Sequence, residues 1–147
     1  MNKYEYNLED RLPDYAALII QVTEKMNNSR AANHVAGQLL RSGTSPLFNH
    51  GEAEGAESPR DFAHKMSICL KELKESRRAL RLIQRVPLTD EINITETALK
   101  ESDELIRIFG AAIRTTRQRY AGEQRELYGE VSPTINESDT ILEISVN

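Results

Sequence analysis

Phe62, Met66, Cys69, Leu73, Ser76, Leu80 and Ile83 recur at alternating spacings of four and three through three heptads. On an extended strand these positions would scatter over both faces, whereas on a helix of 3.6 residues per turn they line up as one stripe. The start is marked by Ser58-Pro59-Arg60-Asp61, which sets a serine cap, a proline at the first helical position and an acid in the first turn. Pro87 closes the run. The pattern predicts a helix over about 58–86, roughly 40 Å long at 1.5 Å per residue. A one-sided helix of that length needs other helices to cover its stripe.

Three further segments supply them. Leu8, Leu12, Tyr15, Ile19, Val22 and Met26 form a second stripe. Pro13 suits a first turn, so the firm helix is expected over about 13–27. From about 29 to 56 the inward row reads Ala32, Ala36, Leu39, Gly43, Pro46, His50 and Ala53. These small residues admit a close neighbour, and Pro46 is expected to kink the helix, with the hydroxyls of Ser42, Thr44 and Ser45 near the backbone groups it frees. A fourth helix, about 92–119, carries Leu99, Ile106, Phe109, Ile113 and Tyr120, widened by Leu105, Ile108 and Ala112.

Four helices with short connections predict an all-α, antiparallel up-down-up-down four-helix bundle. The chain has 147 residues, 39% hydrophobic and 5% aromatic, with no tryptophan. That suits one domain, 1–120, with an aliphatic, small-residue core. The tail, 121–147, has Arg125 as its one base and carries six acids, hence −5 of a net charge of −4, and leaves the body close to neutral. This acidic tail is expected to be flexible or weakly structured, although its β-prone end, Thr140–Val146, is also read as an attachment strand. No apolar run reaches the ~20 residues of a membrane span, and the N-terminal residues lack a secretory leader. Cys69 has no partner cysteine, which suits a reducing compartment and predicts a cytoplasmic protein.

Catalytic patterns are thin. His34, His50 and His64 fall in no metal-binding spacing, no paired Glu-x-x-His occurs, and no glycine-rich loop precedes a lysine. Cys69 lies on an apolar stripe and reads as a core residue. The expectation is a non-enzymatic protein with no metal and no cofactor.

Two constellations remain. Ser42, Gly43, Thr44 and Ser45, with Asn49, Glu52 and Glu72, read as a structural polar network that lets the second helix pack closely, with Glu72, Glu75 or Arg77 as partners; a ligand site is the alternative. On the third helix Lys71, Lys74, Arg78, Arg81 and Arg85 fall at outward heptad positions over roughly 21 Å. This row reads either as a solvated face, paired with Glu96, Glu101, Asp103 and Glu104 of the fourth helix or with the acidic tail, or as a contact for nucleic acid or an acidic partner.

The run Gly37-Gln38-Leu39-Leu40-Arg41-Ser42-Gly43-Thr44-Ser45 with Asn49, Glu52 and Ala53, together with Asp61-Phe62 and Lys65–Glu72, resembles the 23S rRNA intervening-sequence, or four-helix bundle, protein family. The resemblance spans about 8–119. It implies a small bacterial cytoplasmic bundle, often a ring-shaped homopentamer, without established catalysis. Relatives among retroelement accessory variability proteins are basic pentamers that bind a reverse transcriptase and nucleic acid; this chain departs from them in being acidic. The expected function is a self-associating scaffold or adaptor, with association through the fourth helix's apolar width and the second helix's small residues. The alternative is an RNA- or DNA-binding accessory protein using the basic row, helped by Arg114 and Arg117.

Overall fold

The computed structural model describes residues 7–129. Four helices follow one another: α1 (Leu8–Glu24), α2 (Arg30–Glu54), α3 (Pro59–Arg85) and α4 (Ile92–Tyr128). Ser29 caps α2 by accepting from the Ala32 amide at 3.1 Å, and Ser58 caps α3 by accepting from the Asp61 amide at 3.1 Å. Asp61 also pairs with Lys65 at 2.9 Å, one turn on. That hydrogen bond holds the Asp61 carboxyl below its ordinary pKa.

The direction of each helix follows from its cross-links. Cys69 lies against Pro46 and Ser76 against Ser42, so α3 descends as α2 rises. Arg77 meets Asp103 and Gln84 meets Glu96, which sets α4 antiparallel to α3. At one end the α1–α2 and α3–α4 connections are tied together. The Asn27 amide donates to the Leu88 carbonyl at 2.9 Å, and the Thr89 hydroxyl donates to the Lys25 carbonyl at 3.0 Å. The bundle is therefore up-down-up-down.

The shared interior holds Leu12, Ile19 and Val22 of α1, Leu39 of α2, Met66, Leu73, Leu80 and Ile83 of α3, and Leu105 and Phe109 of α4. Truncating one such leucine to alanine costs about 2–5 kcal/mol, the transfer term plus the cavity left behind.

Helix bounds differ most from the sequence reading at the start of α1 and the end of α4, while α1 ends at Glu24 rather than 27 and α2 at Glu54 rather than 56. α1 begins at Leu8, five residues before Pro13, which sits inside it. Both Pro13 and Glu9 are exposed, so the Glu9 carbonyl that the proline cannot bond is not forced into a dry interior. α4 continues to Tyr128, well past 119, so the first eight residues assigned to the tail are helical. Ala121, Glu123, Gln124, Arg125, Glu126 and Leu127 are good helix formers, and Gly129, at φ 74, ends the helix in a backbone conformation that favours glycine. The rest of the expected acidic tail, 130–147, lies outside the described residues.

α2 runs through Pro46 as one element. The nearby hydroxyls bond elsewhere than expected. Thr44 donates to the Leu40 carbonyl and Ser45 to the Arg41 carbonyl, both at 2.7 Å. Neither reaches the Ser42 carbonyl, which is the group Pro46 leaves without its helical donor.

Candidate interaction surface

Among the described residues the buried polar side chains are mostly hydroxyls. Tyr15 and Ser102 lie 2.7 Å apart, and Ser102 donates to the Ala98 carbonyl at 2.8 Å, so the tyrosine hydroxyl is the donor between them. Ser76 also hydrogen-bonds the tyrosine and lies 2.9 Å from Ser42. One hydroxyl from each helix thus joins a fully buried ladder. Burial raises the Tyr15 pKa above its ordinary 10.0. Ser76 sits in the apolar stripe of its helix, whereas Ser42 and Ser102 lie beside the stripes read from the sequence and were missed as interior groups.

The Ser42–Ser45 block is divided by its surroundings. Ser42 enters the ladder. Gly43 lies under Ile19 of α1, where an added Cβ would stand 2.6 Å from Ile19 Cγ2. Thr44 and Ser45 turn back onto their own helix. Neither Asn49, half-buried, nor Glu52, exposed, hydrogen-bonds another described side chain. Their expected partners are engaged elsewhere: Glu72 and Glu75 pair with Arg41 at 3.2 and 2.5 Å, and Arg77 pairs with Asp103 at 3.2 Å.

Candidate catalytic groups are far apart in role. His50 is buried with its ring edge-on to Phe109, 6.0 Å between centroids, while His34 and His64 are exposed. Among the described residues no three His, Cys, Asp or Glu side chains gather to hold a metal. Burial pushes the Cys69 thiol up to about 12, which keeps it protonated and a poor nucleophile at neutral pH.

The outer face of α3 has a clearer character. Lys71, Arg78, Arg81 and Arg85 are exposed and Lys74 is half-buried. The acids expected to neutralise them are otherwise occupied. Glu101 and Glu104 hold Arg11 of α1 at 2.9 and 2.8 Å, which raises the Arg11 pKa; Asp103 holds Arg77; Glu96 accepts from Gln84 at 2.8 Å. Lys71, Arg78, Arg81 and Arg85 form no ion pair with a described residue. Burial, followed by the charges of Arg77 and Arg78, pulls the Lys74 pKa below its ordinary 10.5.

Apolar side chains are set into this strip. Ile68 and Leu70 floor a groove bordered by His64, Lys71, Lys74, Glu75 and Arg78. Further along, Leu82 of α3 and Leu99 of α4 lie among Arg78, Arg81 and Arg85. Ile68 and Leu82 stand two heptads apart at an outward position, a signal that the sequence reading passed over. The two surfaces expected to associate are each divided. On α4 Leu105 is buried while Ile108 and Ala112 are half-buried, and on α2 Ala32, Gly43 and Ala53 are buried while Ala36 is half-buried. α4 needs its apolar width because it packs against both α1 and α3.

Comparison with known proteins agrees with this architecture. A family model described as 23S rRNA-intervening sequence protein matches residues 10–111. A crystal structure from Bacteroides thetaiotaomicron, described as a protein with unknown function from the S23 ribosomal protein family, is 30% identical, covers 71% of this chain and 96% of its own, and superposes with a TM-score of 0.65. No curated protein sequence matches. The matched span takes in all of α1–α3 but the first two residues of α1, and most of the bundled part of α4, and on that evidence this chain belongs to the 23S rRNA-intervening sequence protein family.

Proposed function

We infer that this chain is a non-enzymatic, self-associating bundle that serves as a scaffold or adaptor in the cytoplasm. The observation that carries the reading is the apolar surface left after the core has closed. Leu82 is 48% exposed and Val86, one turn on, 56%, while Ile92 opens α4 at the same end and is 69% exposed. Scattered apolar residues are ordinary on a protein surface, but large ones gathered at one end mark a contact surface. Self-association there repeats the α3 face once per copy, so weak contacts with a partner gain avidity. By resemblance to its family the assembly is a ring of five. No helix among the described residues is long and apolar enough to cross a membrane.

Sedimentation equilibrium tests the reading. The wild-type mass is expected at a multiple of the 16.7 kDa chain, and Leu82→Asp with Val86→Asp is expected to return it to the monomer without loss of helical circular dichroism. A wild-type monomer at tens of micromolar overturns it.

A second reading is supported by the cations that lack ion-pair partners among the described residues. Lys71, Arg78, Arg81 and Arg85 form a strip long enough to meet several phosphates of RNA or DNA. Binding of a mixed-sequence RNA is then expected to weaken steeply with salt, and Arg78→Glu with Arg81→Glu to flatten that slope. Absence of binding at low salt excludes this reading.

A further inference from the structure

The α3 groove combines an apolar floor, Ile68 and Leu70, with the cations Lys71, Lys74 and Arg78, while its one acid, Glu75, is held by Arg41 of α2. Ile68 is 38% exposed there. A matching occupant is an acidic segment with an apolar edge, and the chain contains one. Residues 130–147 hold Glu130, Glu137, Asp139 and Glu143 and no base. Within Thr140–Val146 the alternation sets Leu142, Ile144 and Val146 on one side of an extended chain, with Ile141, Glu143 and Ser145 on the other.

Register and length allow the two to meet. The pairs Arg77–Asp103 and Gln84–Glu96 show that each step forward along α4 is one step back along α3. Tyr128 therefore projects about 10 Å beyond the start of α3, and Lys71 lies about 28 Å back along the axis from it, at 1.5 Å per residue. An extended chain covers up to about 3.3–3.6 Å per residue, so the eleven residues from Tyr128 to Asp139 reach roughly 36 Å, enough for that distance and the sideways step between helices.

We propose that the acidic segment Asp139–Val146 docks on the α3 groove of its own chain, its apolar edge on Ile68 and Leu70 and its carboxylates against Lys71, Lys74 and Arg78. A tether this short holds the segment at roughly millimolar effective concentration, so weak docking is enough. The basic strip is then self-occupied, and an anionic partner binds by displacing the segment. This assignment does not depend on whether the protein self-associates.

The test places a nitroxide at Ser145→Cys in the full chain. Cys69 is buried with a thiol pushed up to about 12, which leaves the introduced cysteine as the reactive one. Paramagnetic broadening of the Ile68–Arg78 amides is expected. It should fall several-fold at 0.5 M NaCl, in Lys71→Glu/Arg78→Glu, and in Asp139→Lys/Glu143→Lys, and return when the two pairs are combined. Both pairs change exposed or tail side chains, and circular dichroism checks that the bundle persists. No broadening on α3, or broadening indifferent to the reversals, overturns the proposal. Broadening found equally when labelled and isotope-enriched copies are mixed assigns the occupant to a neighbouring copy and also overturns it.

Discussion

Tyr15 brings a large polar side chain into the interior, and its hydroxyl links α1 to Ser102 and Ser76. Burial favours the neutral phenol, so its folded pKa lies above the ordinary 10.0. Above that value the folded state binds more protons than the unfolded one, and stability falls as pH rises. The contribution is fully present below pH 10.0 and is lost progressively above it. Urea unfolding between pH 8 and 11 is expected to show this decline, and Tyr15→Phe to flatten it. At pH 7 the same variant is expected to lose about 1–2 kcal/mol, because buried hydroxyls lose a partner. A wild-type profile as flat as the variant's would contradict the assignment.

Gly43 has an equally local role. With Ile19 fully buried, a methyl at position 43 has no room. Overpacking costs about 1–3 kcal/mol and outweighs the gain of up to about 1 kcal/mol in helix propensity. Gly43→Ala is expected to destabilise the bundle. Combined with Ile19→Ala it should cost less than the sum of the two, with a coupling of at least about 0.5 kcal/mol in a double-mutant cycle. Strict additivity would show that the close approach of α1 and α2 does not set the choice of glycine.

Among the helices, α3 was the most legible: its serine cap, its first-turn proline and three unbroken heptads agree on one answer, and its bounds fell within one residue of those expected. α1 and α4 were less so. Pro13 looks like a start signal, yet a carbonyl outside the dry interior tolerates the missing donor and the helix extends back to Leu8. The end of α4 loses its apolar period because it passes the start of α3 and has no bundle partner there among the described residues; Leu127 and Tyr128 are 73% and 72% exposed. Helix propensity alone sustains that overhang, so local opening should be easy. Amide hydrogen exchange is expected to be slow from Thr95 to Ile113 and faster by orders of magnitude from Gln118 to Tyr128. Uniform protection to Tyr128 would mean that a partner or another segment covers the overhang.

The assembled bundle also relocates charge. Arg11, Arg41 and Arg77 each pair with acids of another helix, and this withdraws from the α3 cations the acids that proximity in sequence had offered them. A self-associating bundle couples folding to concentration, since assembly stabilises only the folded chain. The urea midpoint is therefore expected to rise between 1 and 100 µM protein. A midpoint independent of concentration would argue for a monomer.

Periodicity alone determined that this chain forms four amphipathic helices in sequential antiparallel contact, because hiding an apolar stripe is a local requirement written every three or four residues. The polar cross-links were a different matter. That Ser42, Ser76 and Ser102 meet Tyr15, that Gly43 lies under Ile19, and that Glu101 serves Arg11 rather than a cation of α3 were decided by the rotation and axial offset of each helix against its neighbours. Those offsets come from how the whole set of side chains interlocks at once, and no single helix encodes them.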